Sequence, residues 1–466
     1  MRKSTLLLFF ILTSAIPLFA QEGHEIKVSL DGYDGNVLYL AYHLGDKQYV
    51  KDTTYREPDD TFQFTRNDEK LKSGMYMIVI PPENKLMELV MVEGEQHFSV
   101  SASVVDLVGT AKFVGNADDN VLLYEYLNFL NTQRTKAESL NAGKEKLTDP
   151  AEIKALESEQ EDLIEVVNYY QGRLINDNPK SLTAAIIKAN LSLDYSGLED
   201  QSNDSQMRFT REHWFDNIDL KDERLLRTPF LVQKVDYFID KLQIQRPEDH
   251  IPAVDKVLSM MDTNGEVFKS FLIRYLNKYA KSKIVGMDEV YVHIAQNYYN
   301  KGLAPWTEAS QLNKIIDNAN ALEPLLIGKT APDLALQTKD GFTVNLHDLN
   351  SEYTVVYFWE SNCEKCKKMD PDLETFFQAY KDKGVKISAI CTNTNYEAQD
   401  CWDYIEKKNY NEWIHLGNPN NDNDIWKAYN VTSTPMIYLL DRDKKIVSKR
   451  ISAKQLSEVM DNILGN

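Results

Sequence analysis

The sequence Cys363-Glu364-Lys365-Cys366 places two thiols three residues apart, directly after an apolar run and at the start of a helical pattern. Two thiols at this spacing can close a small disulfide ring and open it again by exchange with another disulfide. The first thiol lies at a helix N-terminus, where backbone N–H groups and the helix dipole stabilise a thiolate. We therefore expect Cys363 to form a mixed disulfide with a substrate and Cys366 to resolve it.

The same Cys-x-x-Cys spacing also occurs in zinc sites, which need two further ligands. Cys391 and Cys401 are the other cysteines of the chain, but they do not form a second Cys-x-x-Cys pair, and no histidine lies near the first pair. The spacing thus favours thiol chemistry that uses no metal ion and no cofactor. For Cys391 and Cys401 we favour two buried free thiols, because free cysteine is among the most buried residue types. A disulfide between them, or a relay to the first pair, is the alternative.

The elements that must position these residues form an α/β pattern over residues 328–466. Apolar runs over 354–359 and 385–391 predict two strands, each followed by a helical stretch. A hairpin is predicted over 436–451 and an amphipathic helix over 453–464. Strand–helix–strand followed by hairpin–helix is a compact α/β arrangement.

This segment resembles the thioredoxin superfamily, and specifically its exported TlpA/ResA-like branch of thiol–disulfide oxidoreductases. The resemblance is carried, in the order of the family, by GKTAPDL at 328–334, VVYFWESNCEKCKKMDPDL at 355–373 and IWKAYNVTSTPMIYLLDRDKKI at 425–446. It implies a thioredoxin-like fold with a redox-active disulfide. It also implies that Pro435 is a cis-proline packed against the dithiol and that the Thr434 backbone is offered to substrate. Taken without the resemblance, a Thr-Pro step before a strand is more often a plain trans turn.

Several positions depart from the family pattern. Asn362 stands directly before the first cysteine, where many members have tryptophan. Tyr357 stands where thioredoxin has a buried aspartate, and Met369 stands where ResA-like reductases often have glutamate. Asp370 follows Met369 but is expected to face a different direction on the helix. The sequence therefore does not show which carboxylate acts as the usual proton acceptor. This affects the expected rate and redox potential of the Cys363–Cys366 pair more than the type of chemistry.

The part of the chain upstream of this domain divides into three segments. Residues 1–20 have a short basic region, an apolar run and a terminal alanine, which is the layout of a secretory signal peptide; a membrane anchor is the alternative. Residues 21–115 have apolar residues with period two and predict a small antiparallel β domain. Residues 116–327 predict an all-α domain, most clearly over 153–174, where apolar residues step by three and four.

The chain has 466 residues and a formal net charge of −19. That charge argues against a nucleic-acid partner and against electrostatic docking on a membrane. We predict an exported protein thiol–disulfide oxidoreductase, soluble in the periplasm of the cell envelope after signal cleavage. It would reduce protein disulfides and would itself be reduced by a membrane-linked thiol donor.

Most of the chain lies outside the predicted redox domain. The alternative is therefore an extracytoplasmic binding or assembly protein that uses the thioredoxin-like domain as a docking module. A thiol peroxidase is disfavoured, because the P-x-x-x-T-x-x-C setting of a peroxidatic cysteine is absent.

Overall fold

The computed structural model describes residues 23–144, 147–393, 398–408, 410–418 and 424–465. These residues divide into two compact units, one ending at Val235 and the other beginning at Asp236. The predicted signal peptide at 1–20 lies outside the described residues. The predicted fold class, with an N-terminal β part, a helical middle and a C-terminal α/β part, is confirmed. The predicted domain limits at 115/116 and 327/328 stay predictions.

Strands of the N-terminal unit form two four-stranded sheets within the described residues, with the orders β4-β1-β7-β8 and β3-β2-β5-β6. The strands are β1 (His24–Asp31), β2 (Val37–Leu44), β3 (Lys47–Tyr55), β4 (Phe62–Arg66), β5 (Gly74–Ile80), β6 (Lys85–Met91), β7 (His97–Ser103) and β8 (Lys112–Gly115). Neighbouring strands are antiparallel as expected, except that β1 and β7 run parallel.

Alternating apolar residues produce the buried face of the first sheet. Ile26 and Val28 of β1 are completely buried, and the residues between them are not. In the register of the pair, Ile26 lies opposite Phe64 and Val28 lies opposite Phe62. Because directly opposed side chains on one face contact each other, these residues form a continuous apolar surface.

The helices that follow begin with a long antiparallel pair. They are α1 (Asp118–Lys144), α2 (Pro150–Asp177), α3 (Leu182–Ala189), α4 (Asn203–His213) and α5 (Pro229–Asp240). The Asp149 carboxylate accepts a hydrogen bond from the backbone N–H of Ala151 and so caps α2. The rings of Phe129 and Tyr170 stack with centroids 3.9 Å apart, so α1 and α2 pack against each other as a hairpin.

The first turns of α1 attach this hairpin to the β domain. The Asn120 side-chain amide donates to the Val90 carbonyl oxygen at 2.7 Å and accepts from the Val90 N–H at 2.9 Å. One turn later, the Tyr124 hydroxyl donates to the carbonyl oxygen of Glu88 at 3.0 Å. Because β6 is an edge strand of its sheet, these side chains satisfy backbone groups that would otherwise be unpaired.

The second unit begins with a further set of helices. They are α6 (Pro247–Ser259), α7 (Glu266–Ala280), α8 (Asp288–Ile294), which continues into a π-helical turn (Ala295–Tyr299), and α9 (Ala309–Leu322). Aromatic residues of α7 pack in the core of this unit. Phe271 and Tyr275 are completely buried, with ring centroids 5.9 Å apart.

The C-terminal part of this unit is a mixed sheet with helices. Its strands are β9 (Ala335–Gln337), β10 (Thr343–Asn345), β11 (Tyr353–Trp359), β12 (Val385–Cys391), β13 (Ile414–Gly417), β14 (Met436–Leu440) and β15 (Ile446–Lys449). Its helices are α10 (Glu364–Tyr380), α11 (Ala398–Lys408), α12 (Ile425–Ala428) and α13 (Ala453–Leu464). The sheet order over the described residues is β10-β9-β13-β12-β11-β14-β15, with β11 parallel to β12 and antiparallel to β14.

Strand β11 is buried on both faces. Tyr357 and Trp359 belong to one apolar cluster with residues of α10, α11 and α13, and Val356 and Phe358 belong to a second cluster. A strand that is covered on both faces has apolar residues at successive positions, and this continuous apolar run is the pattern that predicted β11.

A buried ion pair connects α8 to β15 within the second unit. Lys449 is 3% exposed, and its ammonium group donates to the Asp288 carboxylate and to the carbonyl oxygen of Leu325. Burial lowers the pKa of Lys449, and Asp288 opposes this shift. The helices of this unit are thus joined to its sheet by a charge that is costly to leave unpaired.

We expect Asn120→Ala to lower the free energy of unfolding by about 2–3 kcal/mol, because it leaves the Val90 N–H and C=O buried and unpaired. Scanning calorimetry of the purified chain measures the change. Asn131→Ala, at an exposed position of the same helix, is the matched control and should change little. Equal losses in the two variants would contradict this account of the α1 attachment.

We expect Lys449→Met to destabilise the second unit by about 3 kcal/mol, because the substitution strands Asp288 without its cation. The measurement is the urea midpoint of that unit's transition. Lys449→Met combined with Asp288→Leu should recover part of the loss, since no unpaired charge is then left. Lys445→Met, at an exposed site beside β15, is the control. A wild-type midpoint for Lys449→Met would refute the prediction.

Candidate functional site

Both cysteines of the Cys-x-x-Cys sequence lie at the start of α10 and form a disulfide. Cys363 is the N-cap residue, and its sulfur accepts a hydrogen bond from the backbone N–H of Cys366 at 3.1 Å. Cys366 is 1% exposed, whereas Cys363 is only partly buried. Cys363 is therefore the more accessible of the two residues, and their roles in attack and resolution stay predictions.

The N-terminus of α10 favours a thiolate at Cys363. The first-turn N–H of Cys366 donates to its sulfur, and a negative charge there interacts favourably with the helix dipole. The exposed side chains of Lys365 and Lys368 add positive charge nearby. Lys367 forms an exposed ion pair with Glu364 at 2.8 Å and lowers the pKa of that carboxyl group, so Glu364 remains an opposing negative charge.

Pro435 lies at the same end of the sheet as the disulfide. The Thr434–Pro435 peptide bond is cis, as the resemblance implies. Met436, the next residue, pairs with Phe358, one residue before the end of β11. Thr434 and Pro435 are both partly exposed. Their assignment as substrate-binding residues stays a prediction.

The expectation of two free thiols at Cys391 and Cys401 is wrong, because these residues form a second disulfide. Their burial is as expected, with exposed fractions of 2% and 0%. The frequent burial of free cysteine is a property of single residues. It does not show that α11 packs beside the end of β12 and so brings Cys401 to Cys391. In the parallel register of β11 and β12, Trp359 lies beside Cys391, so both disulfides follow the same ends of adjacent strands.

A buried carboxyl group that the sequence left unassigned lies one helical turn after Cys366. Asp370 is 2% exposed and is four residues after Cys366 on α10. It accepts hydrogen bonds from the Tyr357 hydroxyl at 2.8 Å and from the Tyr404 hydroxyl at 2.7 Å. As expected, Asp370 and Met369 face different directions on α10, since Asp370 is buried whereas Met369 is only partly buried.

Burial has the largest effect on the pKa of the Asp370 carboxyl group. Desolvation raises the pKa of Asp370, and the hydrogen bonds from Tyr404 and Tyr357 oppose the rise because they stabilise the charged form. The pKa values of both tyrosines are raised as well, chiefly by burial. The i, i+4 spacing to Cys366 was a signal available in the sequence, but the two tyrosine partners were not.

Over the described ranges, the chain has neither a metal-binding cluster nor a membrane-spanning helix. There, no three or more histidine, cysteine, aspartate or glutamate side chains are grouped so that they could hold a metal ion. Likewise, none of the helices described between residues 23 and 465 combines the length and apolar character that a bilayer crossing requires.

The chain matches known families in its middle and C-terminal parts. Residues 327–449 match the AhpC/TSA family, and residues 200–320 match a domain of unknown function, DUF5106. The thiol-disulfide oxidoreductase ResA of Bacillus thuringiensis subsp. konkukian is 28% identical over 145 residues, covering 30% of this chain and 79% of that protein. ResA of Bacillus subtilis is 26% identical over 125 residues, covering 27% and 67%.

Solved structures match over similar or longer stretches. A domain of a possible thiol-disulfide isomerase from Cytophaga hutchinsonii is 29% identical, covers 30% of this chain and 95% of its own, and has a TM-score of 0.29. A thioredoxin-like protein from Bacteroides caccae is 17% identical, covers 58% of this chain and 98% of its own, and has a TM-score of 0.39.

The match to the AhpC/TSA family spans the elements from β9 to β15, which include the strand–helix–strand unit and the hairpin. Within those elements, a disulfide lies at the N-terminus of α10 and a cis-proline precedes β14. Residues 327–449 therefore form a thioredoxin-fold domain, and the chain is similar to thiol-disulfide oxidoreductases named ResA.

Proposed function

We propose that this chain is an exported oxidoreductase that reduces protein disulfides through Cys363 and Cys366. The observation that carries the proposal is the asymmetry of the pair, with Cys363 partly exposed at a helix N-cap and Cys366 buried beneath it. A thiol that attacks from outside must be accessible and ionised, and a resolving thiol needs only to reach its neighbour. Cys363 suits the first requirement because it is partly exposed at a helix N-terminus, and Cys366 suits the second because it lies beside Cys363.

The reaction needs no cofactor, because the sulfur atoms carry the electrons. The Cys363 thiolate attacks one sulfur of the substrate disulfide, and the other substrate sulfur leaves as a thiolate that takes up a proton. Cys366 loses its proton and attacks the Cys363 sulfur, which releases the second substrate thiol. The substrate gains two electrons and two protons, and the Cys363–Cys366 disulfide forms.

Thr434 and Pro435 are proposed to bind the substrate backbone beside the disulfide. Their partial exposure and their position opposite the end of β11 support this role. A substrate strand held there would present its disulfide to Cys363, in the way that extended peptides pair with exposed backbone at a sheet edge.

The proposed location is the periplasm, with residues 1–20 as the signal peptide and a membrane-linked thiol donor as the source of electrons. Two disulfides in one domain favour an exported compartment, where such bonds persist. Dithiol potentials in related proteins span about −270 to −120 mV. A value near the lower end would support reduction over oxidation, so the potential of the Cys363–Cys366 pair is the deciding measurement.

A second candidate is a binding or assembly role for the upstream segments. It is favoured by the α1–α2 hairpin, on which Ile164 and Tyr169 are 59% and 70% exposed. Exposed apolar side chains on an extended element are typical of interaction surfaces. In this case a partner would be captured as well by a Cys363→Ser variant as by the wild-type chain, whereas the oxidoreductase requires Cys363.

We expect Cys363→Ser to abolish reduction of insulin disulfides, because it removes the attacking thiolate. Cys366→Ser should accumulate mixed disulfides, because the resolving thiol is lost. The measurements are insulin turbidity and mass spectrometry of trapped species. Asp372→Ser, at an exposed position on the same helix, is the matched control and should retain activity. Wild-type activity in both cysteine variants would rule out the proposed function.

A further inference from the structure

We propose that the Cys391–Cys401 disulfide and Tyr404 are positioning residues for the Cys363–Cys366 pair, and that they act through the carboxyl group of Asp370. This inference rests on the proposed function, since it concerns how the same dithiol gains and loses protons. The second disulfide holds α11 against the sheet, α11 places the Tyr404 hydroxyl on Asp370, and Asp370 exchanges a proton with Cys366.

The first step is the proximity of Asp370 to Cys366. Residues four apart on a helix lie on one face, with Cβ atoms about 5–6 Å apart. Both side chains are almost completely buried. Cys366 must lose a proton when it attacks Cys363, and its burial keeps bulk water away from that proton. The Asp370 carboxylate is the neighbouring base that can accept it and return it when the disulfide is reduced.

The second step is that two hydroxyl groups from different elements hold this carboxylate. Tyr357 is fixed within β11, where it is 1% exposed and its ring packs edge-on against Trp413. Tyr404 comes from α11 and is only partly buried. Its ring contacts Trp359 with centroids 5.4 Å apart. Of the two hydrogen bonds, the one from Tyr404 therefore depends on where α11 lies.

The third step is the attachment of α11. Cys401 is three residues before Tyr404, so both side chains lie on the face of α11 that packs on the domain core. Its disulfide partner Cys391 ends β12 beside Trp359. The bond thus ties the α11 turn that precedes Tyr404 to the strand end next to the dithiol.

Because both of its sulfur atoms are buried, this bond is out of reach of a protein disulfide. That burial suits a positioning role rather than a second exchange site. Electrons would then enter and leave the domain at Cys363, where the sulfur is accessible.

Two other titratable groups around Asp370 act in the same sense as Tyr404. Lys408 of α11 and His415 of β13 both lower the pKa of Asp370, and Tyr410 faces the same carboxyl group. Displacement of α11 removes the Tyr404 hydrogen bond and moves Lys408 away. Each change makes the charged carboxylate less stable, so the pKa of Asp370 rises further. The carboxyl group then stays protonated, and unable to accept the Cys366 proton, up to a higher pH.

The test follows resolution of a mixed disulfide in the full-length protein. The dithiol form is mixed with glutathione disulfide, and release of the second glutathione on attack by Cys366 is timed between pH 5 and pH 9. We expect Tyr404→Phe to move the acidic limb of this profile to higher pH by up to about one unit, since it removes one hydrogen bond to the carboxylate. Cys391→Ala with Cys401→Ala should move it in the same direction, and Asp370→Asn should abolish the limb.

Tyr380→Phe is the matched control. It also removes a phenol hydroxyl that donates to a carboxylate in this domain, that of Asp461 on α13. It should leave the profile unchanged. Tyr404→Phe retains the aromatic ring, so it tests the inference even if the chain without the second disulfide fails to fold.

Two outcomes would overturn the inference. One is a Tyr404→Phe profile that superimposes on that of the wild-type protein. The other is a shift caused by loss of the second disulfide that persists in an Asp370→Asn background. Failure of the proposed function is distinguishable, because it would appear as absent insulin reduction by the wild-type chain while glutathione still exchanged at Cys363.

Discussion

The register of β11 with its two neighbours is the constraint on which the redox site depends. β11 pairs with β12 on one side and with β14 on the other, and the last pairs are Trp359 with Cys391 and Phe358 with Met436. A slip of one residue would exchange the two buried faces of the strand and is therefore strongly disfavoured. Three features consequently meet at one end of the sheet: the dithiol that follows β11, the second disulfide that follows β12, and the cis-proline that precedes β14.

Burial then divides the roles of the sulfur atoms. Of the four sulfurs, that of Cys363 is the accessible one, and it lies where a helix N-terminus stabilises its thiolate. The others are covered by the apolar cluster that contains Trp359 and Leu373. In the proposed function, the same cluster that stabilises the domain would limit exchange with large substrates to a single atom and would leave Cys366 dependent on internal groups for proton transfer.

The buried carboxyl group of this domain comes from a different sequence position than the buried aspartate of thioredoxin. Tyr357 occupies the strand position at which thioredoxin has an aspartate, and it contributes a hydroxyl group instead of a carboxylate. The carboxylate comes from Asp370 on α10, and the two side chains hydrogen bond to each other. A charge in this core is tolerated because both of its oxygens accept hydrogen bonds.

The sequence alone determined the features that depend on neighbouring residues. The spacing of the two thiols is read directly from the sequence. Local patterns predicted the helix that follows them, the buried strands and the apolar face of α2 over 153–174, and the structure has these elements where expected. Local patterns suffice there because the thiol pair, the helix cap and the strand period are set by residues a few positions apart. The cis-proline required the family resemblance, since a Thr-Pro step by itself favours trans.

Only the tertiary structure decided the contacts between distant segments. The Cys391–Cys401 bond and the parallel pairing of β1 with β7 were not predicted, and neither was the hydrogen bond from Tyr404 to Asp370, which are 34 residues apart. Each depends on how one element returns to pack on another. Periodicity specifies which face of an element is apolar, but it does not specify which other element covers that face or which polar groups are buried with it.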